Sequence, residues 1–327
     1  MPSSTLATSS LPSIEEIRAA QELVYSVMQP TPQIVWPLLC ERLGTELWVK
    51  HENHTPVGAF KARTAVVYAA ELFRGTTGIT GLVTATRGNH GQSVALAARR
   101  FDVPAHVVVP RGNSAEKNAA MQAQGAHLIE FGSDYQESKE HAIQLAEERG
   151  WHFVPSYHRN IVKGVGTYWV EFFSAVNDVD VVYVPIGQGS GICSCAAVRN
   201  GMNLKTKIVG VVAEGAPAYK LSFEAGRKIA APVTTLLADG MACRVPDDES
   251  LAVVLENVDH VVQVSEDEIR RAMKILFTDT HNVAEGAGAS ALAAALKEKS
   301  SLQGKRAGIV LTGGNVDHDV FARVLMD

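Results

Sequence analysis

The sequence predicts an α/β fold in which parallel β-sheets are covered by helices on both faces. Short runs of β-branched and apolar residues recur along the chain, and helical stretches separate them. This alternation is typical of parallel strands joined by crossover helices. The length of 327 residues and the hydrophobic fraction of 46% allow one large or two medium domains with a full core.

The predicted strands are short and dominated by valine, isoleucine and leucine. In chain order they are ELWVKHE, GLVTAT, AHVVVP, HLIEFG, VDVVYVPIG, KIVGVVAEG, HVVQVS and AGIVLTGG. Among the helices, a capping box formed by Ser265 and Glu268 marks a clear start. The apolar residues after it recur at helical spacing and should face the core. These residues are Ile269, Ala272, Met273 and Leu276.

Charge and composition exclude several classes of protein. The net charge of -5 and the lack of a basic, aromatic-rich cluster argue against nucleic-acid binding. No apolar run reaches the roughly 18 residues that a membrane helix requires. The four cysteines include no CxxC pair and no signal peptide is apparent, so we expect a reduced, cytoplasmic setting. Residues 1–11 are Ser/Thr-rich and should form a disordered lead-in.

Lys61 is the first candidate for covalent chemistry. It follows Gly58, Ala59 and Phe60 at a predicted helix start, where the helix dipole and burial would lower the pKa of its ammonium group. An amine with a lowered pKa can form a Schiff base with a carbonyl compound. Taken alone, the motif fits either an ordinary surface lysine at a helix start or a lysine that forms a Schiff base.

Three further segments follow predicted strands, where open α/β sheets bind their ligands. In TRGNHGQ, residues 86–92, the backbone N–H groups of the turn suit a carboxylate, and Asn89 can bind an oxygen. In GQGSG, residues 187–191, small residues let the backbone approach a phosphate. In TGGNVD, the neutral hydroxyl of Thr312 could face a ring nitrogen.

Taken in order, GAFKAR, TRGNHGQ, GQGSG and TGGNVD resemble the signature segments of the fold-type II pyridoxal-phosphate enzymes. The resemblance is to the threonine dehydratase, serine dehydratase and serine racemase family, and it runs from about residue 15 to the C-terminus. ADGMA at 238–242 and AEGAGASALAA at 284–294 also resemble family segments. The TRGNHGQS variant looks closer to phenylserine dehydratase or the hydroxyectoine-pathway dehydratase.

The resemblance implies a pyridoxal 5'-phosphate enzyme with the tryptophan synthase β-like fold, built from two α/β domains with twisted parallel sheets. Residues 1–79 and 158–327 would form the large domain, and residues 80–157 a smaller inserted domain, with the cofactor in the cleft between them. The implied reaction is elimination of water from a β-hydroxy-α-amino acid, which yields a 2-oxo acid and ammonia. The resemblance also implies a homodimer.

The resemblance assigns a role to each candidate site residue. Lys61 would carry the Schiff base and act as general base, Phe60 would lie beside the cofactor ring, and Asn89 would hydrogen-bond its phenolic oxygen. Thr312 would face the pyridine nitrogen. The implied phosphate-binding residues are Gly187, Gln188, Gly189, Ser190 and Gly191. The implied substrate contacts are Thr86, Arg87, Gly88, Asn89 and His90.

Arg87 departs from the family pattern, because racemases of the family carry a serine there as the acid/base on the second face of the α-carbon. A guanidinium keeps its proton at neutral pH. The sequence therefore favours elimination over two-base racemisation. It assigns Arg87 to an anion, either the substrate carboxylate or the cofactor phosphate.

A second departure concerns the family's cation site. Glu214 and Ala218 match two of its ligand positions, but Lys220 replaces the aspartate at the third. A buried glutamate–lysine pair would be self-neutralising, whereas a metal beside the ammonium would be repelled. The sequence therefore predicts no metal and a vestigial site in which Glu214 faces Lys220. The alternative is that Lys220 points to solvent from a turn and leaves a weakened or empty site.

Four other functions are compatible with parts of the pattern. Arg87 argues against a serine-type racemase, and His90, in place of threonine, argues against a β-replacement enzyme of the cysteine-synthase kind. The Lys61 motif argues against a non-catalytic metabolite sensor, and the missing GxGxxG argues against a nicotinamide dehydrogenase. Threonine, serine, phenylserine and 3-hydroxyaspartate are the candidate substrates.

Overall fold

The computed structural model describes residues 11–326, so the predicted lead-in lies outside the described residues except for Leu11. The helices are α1 (Ile14–Tyr25), α2 (Pro37–Leu43), α3 (Lys61–Gly75), α4 (Asn89–Arg100), α5 (Ala115–Ala123), α6 (Tyr135–Arg149), α7 (Arg159–Ala175), α8 (Ser190–Gly201), α9 (Ala218–Ala225), α10 (Asp248–Asn257), α11 (Glu266–Thr280), α12 (Gly286–Lys297) and α13 (His318–Met326). Short 3-10 helices span Asp239–Met241 and Lys299–Leu302.

The strands form two sheets. They are β1 (Gln33–Val35), β2 (Glu46–His51), β3 (Leu82–Ala85), β4 (Ala105–Val109), β5 (Ala126–Glu130), β6 (His152–Phe153), β7 (Val181–Pro185), β8 (Lys207–Ala213), β9 (His260–Val264) and β10 (Arg306–Leu311). The larger sheet has the order β1-β2-β10-β7-β8-β9, and the smaller has the order β5-β4-β3-β6. Among the strands within residues 11–326, only β1 is antiparallel to its neighbour, and the other pairs are parallel.

Helices cover both faces of the larger sheet, which explains its continuous apolar strands. In β7, Val182 and Val184 belong to the core cluster that includes α7 and α8. The alternating residues Val181 and Tyr183 belong to the cluster that includes α11 and α12. Successive side chains of a strand point to opposite faces, so the strand is buried on both sides. The predicted α/β fold with parallel sheets is confirmed.

The smaller sheet is drawn from one continuous stretch of chain. Its strands all lie between residues 82 and 153, whereas the larger sheet uses strands from before and after this stretch. We propose on this basis that residues 80–157 form an inserted domain within a larger one made of residues 1–79 and 158–327.

The predicted start of α11 is confirmed in detail. The Glu268 N–H donates to the Ser265 hydroxyl over 3.2 Å, and the Glu268 carboxylate accepts from the Ser265 N–H over 2.8 Å. The four apolar residues predicted to face the core are buried. No helix among residues 11–326 combines the length and apolar composition needed to cross a bilayer.

A buried cluster of two cations and two carboxylates joins α3 to the larger sheet and to α7. Arg63 donates to Glu52 over 2.7 Å and to Glu171 over 2.6 Å. Lys50 donates to Glu171 over 2.6 Å and to the Thr31 carbonyl over 2.6 Å. The side chains of Arg63, Glu52 and Lys50 are 0% exposed. Each charge in this cluster therefore depends on its partners rather than on water.

The cluster should contribute strongly to stability. Arg63→Met fills a similar volume but leaves Glu52 and Glu171 without their shared cation, so we expect a loss of about 3–5 kcal/mol in the free energy of unfolding. Lys228→Met, which breaks the exposed pair of Lys228 with Asp248, is the control and should cost less than about 1 kcal/mol. Urea unfolding of both variants measures the difference. Equal, small losses would contradict the prediction.

Candidate active site

A cavity of about 170 Å³ lies where several strands of both sheets end. Helices α3, α4 and α8 each begin at this cavity. The structure brings together every residue that the sequence predicted for the site. These are Phe60, Lys61, Thr86, Arg87, Gly88, Asn89, His90, Gly187, Gln188, Gly189, Ser190, Gly191 and Thr312.

Lys61 and Thr312 meet because their segments pair across the end of β10. The Phe60 N–H donates to the Thr312 carbonyl over 3.0 Å, and Ala59 forms an antiparallel bridge with Gly313. This pairing places the first residue of α3, Lys61, next to the strand end that carries Thr312. The Thr312 hydroxyl makes no hydrogen bond to the described part of the protein and is free to bind a ligand.

The environment of Lys61 favours its neutral amine. Burial lowers the pKa of Lys61 to about 8, and Glu285 opposes the change only in part. The Nζ atom lies 4.8 Å from the centroid of the Phe60 ring. The predicted helix start at Lys61 is confirmed, since α3 begins there. Lys61 therefore has a larger fraction of the neutral amine that attacks a carbonyl carbon than an ordinary exposed lysine has at the same pH.

The turn from Gly187 to Gly191 has the form of an anion cradle. The N–H groups of Gly187, Gln188 and Gly189 donate to no protein acceptor within residues 11–326. Gly189 has a φ of 98°, which favours glycine, and a Cβ on Gly187 would lie 2.6 Å from the Gly240 carbonyl oxygen. Helix α8 begins at Ser190 and adds its dipole. Unpaired N–H groups around a turn without room for side chains fit a phosphate.

The segment after β3, residues 86–92, carries the side chains of Arg87, Asn89 and His90. Its turn is held by a 3.0 Å hydrogen bond from the Gly88 N–H to the Thr86 hydroxyl. His90 is buried, and burial together with Lys61 lowers its pKa to about 3, so the imidazole is neutral. Arg87 is exposed, and its guanidinium has no partner in the described residues. An unpaired guanidinium at the rim of a cavity can hold a carboxylate.

Three charged residues of the cavity were not assigned roles from the sequence. Lys117 on α5 donates to Asp239 over 2.5 Å, and Glu285 accepts a hydrogen bond from Asn89 over 2.8 Å. Asp239 and Glu285 lie in the segments 238–242 and 284–294, whose family resemblance was a signal for the site. No sequence motif marked Lys117, because its partner Asp239 comes from a distant part of the chain.

The predicted pairing of Glu214 with Lys220 is wrong. Lys220 lies in the first turn of α9 and donates to Glu224 over 2.8 Å and to the Val261 carbonyl over 3.2 Å. Glu214 is exposed, and Ala218 is the first residue of α9. The local i,i+4 pair therefore replaces the predicted buried pair. No cluster of three or more histidine, cysteine or acidic residues suited to a metal occurs in the stretch from Leu11 to Met326.

Comparisons with known proteins identify the family of this chain. The family model described as "Pyridoxal-phosphate dependent enzyme" matches residues 24–313. The chain is 36% identical to an L-threonine ammonia-lyase of Thermotoga maritima over 95% of this chain and 78% of that protein. It is 31% identical to an L-threo-3-hydroxyaspartate ammonia-lyase of Saccharomyces cerevisiae, over 96% of this chain and 97% of that protein.

A solved structure of maize serine racemase has a TM-score of 0.89 at 30% identity, covering 96% of this chain and 97% of the other. The lysine, the anion cradle and the unpaired hydroxyl therefore lie in a fold shared with relatives along nearly the whole chain. The chain belongs to the pyridoxal-phosphate-dependent enzyme family.

Proposed function

We propose that this enzyme is an ammonia-lyase that eliminates water from a β-hydroxy-α-amino acid. The observation that carries the proposal is the placement of the buried Lys61 amine, the anion cradle at 187–191 and the unpaired Arg87 guanidinium around one cavity. The relatives named as ammonia-lyases for threonine and 3-hydroxyaspartate support this reaction class. Threonine, serine, phenylserine and 3-hydroxyaspartate are the substrates to compare in a 2-oxo acid assay.

Each part of the cofactor would find a partner in the cavity. The N–H groups of residues 187–191 would bind its phosphate, the Thr312 hydroxyl would face its pyridine nitrogen, and Phe60 would lie beside its ring. The Asn89 amide would bind its phenolic oxygen. When bound, pyridoxal phosphate withdraws electrons from the α-carbon of an attached amino acid.

The protein's own groups would then complete the elimination. Lys61, released when the substrate amine takes its place, would remove the α-proton as general base. Loss of the α-proton to Lys61 and of the β-hydroxyl together amounts to loss of one water, and hydrolysis of the released product would give the 2-oxo acid and ammonia. Arg87 would hold the substrate carboxylate, which fixes the α-carbon beside Lys61.

Racemisation is the alternative that the fold permits, but two side chains disfavour it. A second acid/base would have to reach the α-carbon from the side opposite Lys61. Arg87 cannot release its proton at neutral pH. Lys117 is held by Asp239, and its pKa is raised because Asp239 and Glu285 outweigh the effect of burial. Incubation with one enantiomer of serine and chiral analysis of the remaining amino acid separates racemase from lyase.

Lys61→Ala should abolish both elimination and the long-wavelength absorbance of bound cofactor. Loss of a residue that is both covalent partner and general base should reduce turnover at least about a thousandfold. Lys220→Ala, which changes a lysine outside the cavity, is the matched control and should behave as wild type. Turnover by Lys61→Ala above about a thousandth of the wild-type value would contradict the assignment.

The pKa of Lys61 predicts how cofactor uptake depends on pH. Below about pH 8 the amine is protonated and cannot attack the aldehyde, whereas above it the amine is free. The rate at which apoenzyme gains the absorbance of bound cofactor should therefore rise as the pH passes through about 8 and then level off. Stopped-flow absorbance measures the rate, and a rate independent of pH across this range would refute the prediction.

Arg87→Lys should remain impaired if the guanidinium holds the substrate carboxylate with two parallel hydrogen bonds. An ammonium cannot reproduce that geometry, so we expect KM to rise roughly ten- to a hundredfold, the size of a lost charge-assisted contact. Arg100→Lys, at the exposed end of α4, is the control and should leave KM unchanged. Full activity in Arg87→Ser would show that the residue holds no anion.

A further inference from the structure

The orientation of the Asn89 amide is fixed by a chain of hydrogen bonds. Asn315 donates through Nδ2 to the Val57 carbonyl over 2.7 Å and to the Asn89 Oδ1 over 2.8 Å. A backbone carbonyl can only accept, so it determines which end of the Asn315 amide is nitrogen. Asn315 then determines that the oxygen of Asn89 faces it. The nitrogen of Asn89 therefore faces Glu285.

Glu285 lies at the other end of this series of hydrogen bonds. The Asn89 Nδ2 donates one hydrogen to the Glu285 Oε1 over 2.8 Å. An amide nitrogen carries two hydrogens, and the second has no acceptor among residues 11–326. Since Asn89 lines the cavity, this second hydrogen is available to a ligand there.

The carboxyl group of Glu285 occupies a closely fitted space. A Cβ on Gly313 would lie 2.5 Å from the Glu285 Oε1, so only glycine leaves room for the carboxyl. Glu285 is the N-cap residue of α12, yet its side chain makes no capping hydrogen bond. An N-cap side chain ordinarily accepts a hydrogen bond from a backbone N–H in the first turn of its own helix. Here the carboxyl accepts the hydrogen bond from Asn89 instead. Its second oxygen has no hydrogen-bond partner within the described chain.

Charges from three other elements surround this buried carboxyl. The pKa of Glu285 is raised to about 7, mainly by burial; Asp239 of the 3-10 helix adds to the rise, whereas Lys117 of α5, the hydrogen bond from Asn89 and Lys61 of α3 oppose it. Glu285 can therefore gain or lose a proton near neutral pH. The acceptor that Asn89 requires is present in both states, because a neutral carboxyl keeps its carbonyl oxygen.

We propose that Glu285 and Asn315 are positioning residues that turn the free N–H of Asn89 towards the phenolic oxygen of the cofactor, and that Glu285 takes up a proton when that oxygen is ionised. This inference rests on the proposed role of Asn89. An ionised phenolic oxygen and an ionised Glu285 on the same amide would repel each other in a site that excludes water. Protonation of Glu285 removes the repulsion and leaves the hydrogen bond in place.

The Glu285 variants test its hydrogen bond with Asn89 separately from its uptake of a proton. Glu285→Gln keeps an oxygen that can accept from Asn89, so cofactor affinity should stay within about twofold of wild type, a change smaller than one hydrogen bond. The wild-type absorbance of bound cofactor should change with pH near 7, and this change should disappear in Glu285→Gln. Glu285→Ala removes the acceptor and should weaken cofactor binding about tenfold.

The Asn315 variants test the orientation independently. Asn315→Asp cannot donate, so the Asn89 amide should turn round, and cofactor affinity should fall at least about tenfold. Asn315→Ala removes the same donor without adding charge and should also weaken binding. Asn282→Asp is the matched control: Asn282 is buried and bonded to Asn53, but it does not contact Asn89. It should bind cofactor as wild type does.

Cofactor dissociation constants, absorbance spectra against pH and melting temperatures of the holoenzymes provide the readouts. Equal behaviour of Glu285→Gln and Glu285→Ala would overturn the role of Glu285, and wild-type affinity in Asn315→Asp would overturn the role of Asn315. An unchanged pH dependence in Glu285→Gln would overturn the proton uptake. Failure of the proposed function would be distinct, because the wild-type protein would then form no 2-oxo acid, whereas its cofactor affinity and the effects of the Glu285 and Asn315 variants on it would still be measured.

Discussion

Arg63 is held between the carboxylates of Glu52 and Glu171, and this buried network fixes the helix on which the active site depends. Glu52 follows β2 and Glu171 lies on α7. The Arg63 guanidinium therefore connects α3 with the end of β2 and with α7. Lys61 is only two residues away, at the first turn of the same helix. A shift of α3 would therefore move the reactive amine. Helix α3 carries both Arg63 of the ionic network and Lys61 of the candidate active site. The contacts that stabilise the fold therefore also hold Lys61 in place.

The topology explains why distant segments of the sequence meet in one cavity. Parallel strands present their carboxyl ends at one edge of a sheet, and ligands of open α/β sheets bind there. Strand β7 leads into the cradle at 187–191, and β10, its neighbour, leads into Thr312. Strand β3 of the smaller sheet leads into the segment of Asn89. The cavity is thus formed by the ends of strands from both sheets.

The sequence predicted the parts of this arrangement that depend on local chemistry. Glycine-rich turns after apolar strands and a lysine at a helix start can be recognised in the sequence itself. It could not predict Asn315 as the partner of Asn89, because that hydrogen bond joins residues 226 positions apart. The prediction for Lys220 failed for the opposite reason: a near neighbour, Glu224, was available within the same helix. Strand β6 was missed because two residues carry no periodic signal. The homodimer stays a prediction.

Under the proposed function, the charges around the cavity leave one cation available for the substrate carboxylate. Arg87, Lys61 and Lys117 contribute positive charge, and Asp239 and Glu285 contribute negative charge. Lys117 is held by Asp239, and Lys61 is the residue that we propose to bind the cofactor. The proposed phosphate-binding loop at 187–191 contains no lysine or arginine. Arg87 therefore remains as the one cation of the described cavity lining without a partner. The α-carboxylate is common to every candidate substrate, so Arg87 could bind it whichever of them the enzyme uses.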